Sequence, residues 1–262
     1  MYEFFKSCQG WRHLNLVRIG GLNLKTDEIY FDKTPQVVSH LQVDVTNQDL
    51  ACRIKISGNN PEILNGANKT LDAVKRIWNP SAIYCWCEFQ QTESNTVGRI
   101  QNQNRFSDID FGCSIKFLKH ASHVLVAVYT TGHELELASK KVSEKSDYLS
   151  AYFLDLIGLI VLEKTSSFIK QIAEKKAAES GWGLSPFLSP GSVHGWDLSE
   201  QLKLCSLLPI EKINVTIRDD AIFFPFKTIS CLIGSGLEYD TVKVGTTCQV
   251  CSKNHECQLK QI

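Results

Sequence analysis

Short apolar or alternating segments dominate the early part of the chain. Leu14–Ile19, Glu28–Phe31, Val37–Val45 and Leu50–Ile56 read as strands, separated by Gly20-Gly21, Asn47-Gln48 and Gly58-Asn59-Asn60. From Pro61 to Trp78 the spacing turns helical, with Ile63, Leu64, Leu71, Val74 and Ile77 on one face, and Asn79-Pro80 stops it. Ala82–Glu88 reads as a strand, residues 90–105 as a polar loop, and Asp108–His120 as a helix. His123–Tyr129 is a β-branched strand leading into a helix at Thr130-Thr131-Gly132-His133-Glu134.

Ser146 to Ala178 reads as one long helix, capped by Ser146 and stopped near Gly181. Gly158 in its middle costs about 1 kcal/mol against alanine, so close packing or ligand approach is expected there. Asp155 and Glu163 lie on or beside its apolar stretch and need partners. A Pro-rich loop follows, then a short helix opening at Asp197-x-x-Glu200 and a hairpin over Ile213–Ile217 and Ile222–Phe226. A last strand, Thr228–Ile233, ends in a turn at Gly234-Ser235-Gly236. This mixed order gives an α+β architecture.

Lys plus Arg and Asp plus Glu number 28 each, and no basic run reaches five residues. That excludes binding carried by phosphate neutralisation, so no nucleic-acid partner is expected. The longest apolar run, Leu149–Leu162, contains Asp155 and is too short to span a bilayer, so no membrane association is expected. No apolar signal segment opens the chain, and the ten cysteines suit a reducing, cytoplasmic setting. Most of them read as small core residues. The exception is Cys248-x2-Cys251-x5-Cys257, a trio of soft ligands that suits zinc or an iron–sulfur cluster, with His255, Cys231 or a residue from another chain as a fourth ligand. No dinucleotide-binding, Walker-type, zinc-protease or Gly-x-Ser-x-Gly pattern appears.

The ordered pieces Thr130–Gly132, Leu154–Gly158, Ser189–Gly191, Gly195–Gln201 and Pro225–Ser230, followed by a Cys-rich tail, resemble the activation domain of cobalamin-dependent methionine synthase. The resemblance is strongest to stand-alone activation-domain-like proteins of corrinoid methyltransferase systems. It spans about residues 67–262 and leaves 1–66 as a separate β-rich segment. It implies a twisted antiparallel sheet with flanking helices and a shallow groove for S-adenosylmethionine. It also implies a partner, a corrinoid protein or cobalamin-dependent methyltransferase, whose cobalt is returned to the active state by one-electron reduction and methylation. An electron-transfer protein would supply the electron, or an iron–sulfur centre on the tail would pass it.

By the same resemblance Glu163 faces the ligand's amino group, and Ser189, Pro190, Gly191 and Ser192 line the groove. Phe187 stands where the family has an arginine and Ser192 where it has a tyrosine. An arginine grips a carboxylate bidentately. Without it another cation takes over, or the ligand is held weakly, or it is not bound. The last case leaves a different protein class, a metal- or iron–sulfur-binding redox or scaffold protein of the same fold.

Overall fold

Thr46 starts a helix where the apolar pattern predicts a strand. In the computed structural model, which describes residues 15–19, 22–26, 31–54, 61–74, 77–246 and 250–251, α1 runs Asn47–Arg53. Its capping box is complete: Thr46 Oγ1 accepts from Asp49 N and Asp49 Oδ2 accepts from Thr46 N. Thr-x-x-Asp therefore outweighs the short apolar run, and the strand expected over Leu50–Ile56 is a helix at its described positions. Of the strand expected over Val37–Val45, only Gln36–Val38 (β3) is extended pairing. Chain contacts separate residues 1–32 from 33–262. The first unit holds an antiparallel hairpin, β1 (Asn15–Ile19) against β2 (Leu22–Thr26).

The second unit is built on a seven-stranded antiparallel sheet. Its strands are β3, β4 (Ser81–Gln91), β5 (Val97–Gln101), β6 (Phe106–Asp110), β7 (His123–Thr130), β8 (Gly183–Leu184) and β11 (Thr228–Gly236). The order is β6-β5-β4-β7-β11-β8, and β3 also pairs with β4. Helices α2 (Pro61–Val74), α3 (Glu134–Glu144) and α4 (Tyr148–Ser180) join α1 in a helical cluster around Leu50, Leu71, Leu135, Phe153, Ile157 and Val161. A second cluster joins sheet residues Ile83, Cys85, Cys87, Val124, Val126 and Val128 to Leu204, Leu207 and Ile213 around the short helix α5 (Glu200–Cys205). The short hairpin β9 (Thr216–Ile217) and β10 (Phe223–Phe224) lies beyond α5. The expected α+β architecture is observed.

Four further expectations are corrected. The polar stretch 90–105 is not a loop throughout, because β5 and β6 form a hairpin. Asn102 Oδ1 accepts from Asn104 N and Arg105 N to make its turn, and Arg99 pairs with Asp108 across it at 2.7 Å. The helix expected over Asp108–His120 is the end of β6 and a 3-10 segment at Gly112–Leu118. Gly234-Ser235-Gly236 is strand rather than turn: a Cβ at Gly236 would stand 1.9 Å from the His120 carbonyl oxygen, so glycine permits the close approach. Finally, α4 is capped by Asp147, which accepts from Ser150 N at 3.1 Å, while Ser146 takes a left-handed turn (φ +61°) between α3 and α4. Gly181 ends α4 in the left-handed conformation, as its position predicts.

Candidate functional site

The Pro–Gly loop hangs from β11 by its main chain. Leu188 N donates to Leu232 O at 3.0 Å, and Leu232 N returns a bond to Leu188 O at 2.8 Å. Ser189 Oγ donates to Ser230 O at 2.8 Å, Ser230 Oγ to Gln201 Oε1 at 2.8 Å, and Gln201 Nε2 to Ala221 O at 2.7 Å. This buried relay ties the loop to β11, α5 and the β9–β10 hairpin in one chain of satisfied polar groups. Ser189 O accepts from Ser192 N and Val193 N, and Gly191 N donates to Trp196 O at 2.9 Å. Gly191 sits at φ +74°, where glycine is favoured. Ser189 and Pro190 are buried, and Gly191 and Ser192 are exposed. Trp196 packs against Phe111 with ring centroids 4.8 Å apart, fixing the loop to the core.

The segment after β11 returns along this loop. Phe187 N donates to Gly245 O at 3.2 Å, His194 N to Val250 O at 3.3 Å, and Cys251 is bridged to Val193. One member of the predicted cysteine trio is thus placed beside the loop. Cys248, Cys257 and His255 lie outside the described residues. Among the described residues no three His, Cys, Asp or Glu side chains are gathered as metal ligands. Cys231 is fully buried in β11, where desolvation pushes its thiol up and the charge of Lys170 opposes that. His194 is an exposed loop residue engaged through its backbone.

Glu163 lies on α4 and is paired with Arg53 of α1; the structure does not bring it together with Ser189–Ser192 in one hollow. Lys164, next in sequence, reaches Asp49 Oδ2 and Asp44 O at 2.8 Å each. That lysine, with the bonds from Thr46, holds the Asp49 carboxyl at about 2, down from 3.8. A hollow of about 340 Å³ opens here, lined by Asp49, Cys52, Arg53, Glu163, Lys164 and Ser167 among others, and by none of Ser189–Ser192. The described contact that joins α4 to the Pro–Gly loop is further along: Lys170 Nζ stands over the Phe187 ring, 5.5 Å from its centroid. Phe187 is 4% exposed.

Arg53, Asp49, Lys164 and Lys170 are the charged residues the sequence reading missed. The capping pattern Thr46-x-x-Asp49 is the signal that would have revealed α1, which carries Arg53. The acids flagged on α4 do find partners, since Asp155 accepts from Lys227 Nζ at 2.8 Å. At the turn before α3, Thr131 N donates to Lys227 O and Gly132 N to Thr130 Oγ1, so these amides are engaged within the protein. Among the described residues no helix is long and apolar enough to cross a membrane.

No family model and no curated protein matches the sequence. Among solved structures the chain is similar to the MetH reactivation domain crystallised with AdoHcy (S-adenosylhomocysteine), with a TM-score of 0.58 and 12% identity. The match covers 82% of this chain and 85% of that one. The chain has the fold of the methionine synthase activation domain, a mixed arrangement of helices around an antiparallel sheet.

Proposed function

We propose that this protein is an accessory to a corrinoid protein or cobalamin-dependent methyltransferase. It binds an S-adenosylmethionine-type ligand through the Pro–Gly loop and Glu163 of α4 and presents it to cobalt held by the partner. The observation that carries this reading is the shared fold, over most of both chains, with a reactivation domain solved with S-adenosylhomocysteine. The loop supports it. Ser189 is tied to β11 and Pro190 is buried, leaving Gly191 and Ser192 exposed as a preformed rim.

In this reading the chain's own residues position the ligand. Glu163 takes the amino group, and Arg53 stands in its place until the ligand's ammonium displaces it. The exposed rim at Gly191 and Ser192 keeps the transferable methyl group reachable from outside. The partner supplies the cobalt, an electron-transfer protein supplies the reducing electron, and the setting is the cytoplasm.

Calorimetric titration with S-adenosylhomocysteine tests the proposal. Binding tighter than about 1 mM, equivalent to roughly −4 kcal/mol, is expected. Absence of heat at that concentration removes the ligand-presenting role. A second reading, a scaffold of the same fold without S-adenosylmethionine chemistry, is favoured by the buried Phe187 in place of a guanidinium. It is the reading that survives a null titration if a corrinoid protein still co-elutes with this chain.

A further inference from the structure

We propose that Cys113 and Cys251 form a redox clasp: oxidation joins them in a disulfide that locks the segment after β11 against the Pro–Gly loop. The clasp works whether or not the loop binds a ligand.

The segment after β11 is strapped to the loop at separate points rather than by a ladder. Leu184 N donates to Thr241 O at 2.7 Å, and Phe187 N donates to Gly245 O at 3.2 Å. Glu174 of α4 accepts from Lys243 Nζ at 2.6 Å and from Val244 N at 3.2 Å. Pro186–Gly245 and Val193–Cys251 are isolated bridges, and Val244 and Val250 bury their side chains. A strap held by so few backbone bonds is the kind of element that opens locally at low cost.

Two thiols far apart in sequence are brought to one short stretch of that loop. Cys251 is bridged to Val193. The next residue, His194, is gripped twice: its N–H donates to Val250 O at 3.3 Å, and its carbonyl accepts from Cys113 Sγ at 3.3 Å. Cys113 thus reaches His194 from the 3-10 segment, while Cys251 belongs to the strap on the neighbouring residue. The approach of Cys113 is built into the backbone. Gly112 and Gly195 take φ of +52° and +83° and press together: a Cβ on Gly112 would stand 2.0 Å from Gly195 O, and one on Gly195 would stand 2.4 Å from Cys113 Sγ. Bridged Cα atoms lie about 5 Å apart and a disulfide spans about 6 Å between Cα atoms, so a side-chain rotation and one S–S bond suit the span. The S–H contact that Cys113 gives up is a weak one. Both thiols are open to solvent, unlike Cys85, Cys87, Cys205 and Cys231: Cys113 is exposed and Cys251 is partly exposed.

The oxidant is a small disulfide such as oxidised glutathione. One cysteine thiolate attacks a glutathione sulfur, forming a mixed disulfide and releasing one glutathione thiolate. The second cysteine's thiolate attacks the protein sulfur of that mixed disulfide and releases the other. Two protein thiols are oxidised, one glutathione disulfide is reduced to two thiols, and the cysteine protons pass to the leaving thiolates. In a reducing compartment such a bond is transient, a sensor rather than a staple.

The test uses the full chain, reduced, freed of reductant and then treated with oxidised glutathione. Peptide mass with fragmentation, which tells Cys251 from Cys248, should find Cys113 joined to Cys251 within one chain. Hydrogen exchange at residues 241–246 should slow at least about fivefold and recover when dithiothreitol is added. Cys113→Ser and Cys251→Ser should each abolish the link and the slowing, yet exchange like the unaltered chain when reduced. Cys52→Ser should keep both effects. Glutathione left singly on either cysteine, Cys251 joined to Cys248 or Cys257 instead, or a link that forms without slowing exchange would each overturn the clasp.

Discussion

Lys227 reaches Asp155 by lying across the backbone of α4 at Gly158. Its Nζ is 2.8 Å from Asp155 Oδ1, and a Cβ at position 158 would stand 2.5 Å from Lys227 Cδ and 2.6 Å from Cε. The helix accepts a mid-helix glycine because the stem of Lys227, 13% exposed, occupies the space a side chain would need. The two residues should be energetically coupled. Gly158→Ala alone is expected to be neutral or destabilising by about 1 kcal/mol, because it gains helix propensity but displaces the lysine stem. In a Lys227→Ala background the same change should stabilise by about 1 kcal/mol. Urea unfolding of the four proteins checks this, and additive effects would refute the coupling.

Acid should loosen the α1 latch. The Asp49 carboxyl is lowered from 3.8 to about 2, chiefly by Lys164, with Thr46 adding two hydrogen bonds. A lowered carboxylate contributes stability above its unfolded value. That contribution is lost as pH falls from about 4 toward about 2. Urea midpoints of the protein and of Asp49→Asn, followed through that window, should converge at its acid end. Parallel curves would show that the Asp49–Lys164 contact carries no linkage.

Arg53 and Glu163 make opposite predictions for ligand affinity. Arg53→Leu removes the guanidinium that occupies Glu163, so S-adenosylhomocysteine should bind about threefold to tenfold more tightly. Glu163→Gln should weaken it about tenfold, through loss of the charge proposed to take the amino group. A weaker complex with Arg53→Leu would mean that Arg53 contacts the ligand itself.

The cysteines should separate by reactivity. Cys52 and Cys113 are exposed, whereas Cys85, Cys87, Cys205 and Cys231 are buried. Burial also pushes the Cys205 thiol up to about 12, so its thiolate is scarce at neutral pH. Maleimide labelling of the native protein, read by peptide mass, should modify Cys52 and Cys113 at least tenfold faster than the buried four. Rapid labelling of Cys231 would contradict its place beneath α4.

Some of this fold is legible from local pattern. The strand at His123, the long helix and its stop at Gly181 follow from β-branched runs, helical spacing and a glycine in the left-handed conformation. Apart from the local caps at Thr46 and Asp147, the departures depend on partners that only the fold brings together. Gly234 and Gly236 resemble a turn until His120 and Tyr239 are seen pressed against them. Arg99 reads as loop polarity and Asp108 as a helix start until the strands that carry them are paired. The same holds for the candidate site. Its loop is announced by Ser189-Pro190-Gly191, but Lys170 gains meaning only when its ammonium is found above Phe187. No local motif connects two residues seventeen positions apart on different elements.

The reciprocal main-chain bonds between Leu188 and Leu232 anchor the start of the loop without calling on the exposed side chain at position 192. Position 192 can therefore be rewritten on a fixed frame, and a change of cargo need not require a change of scaffold.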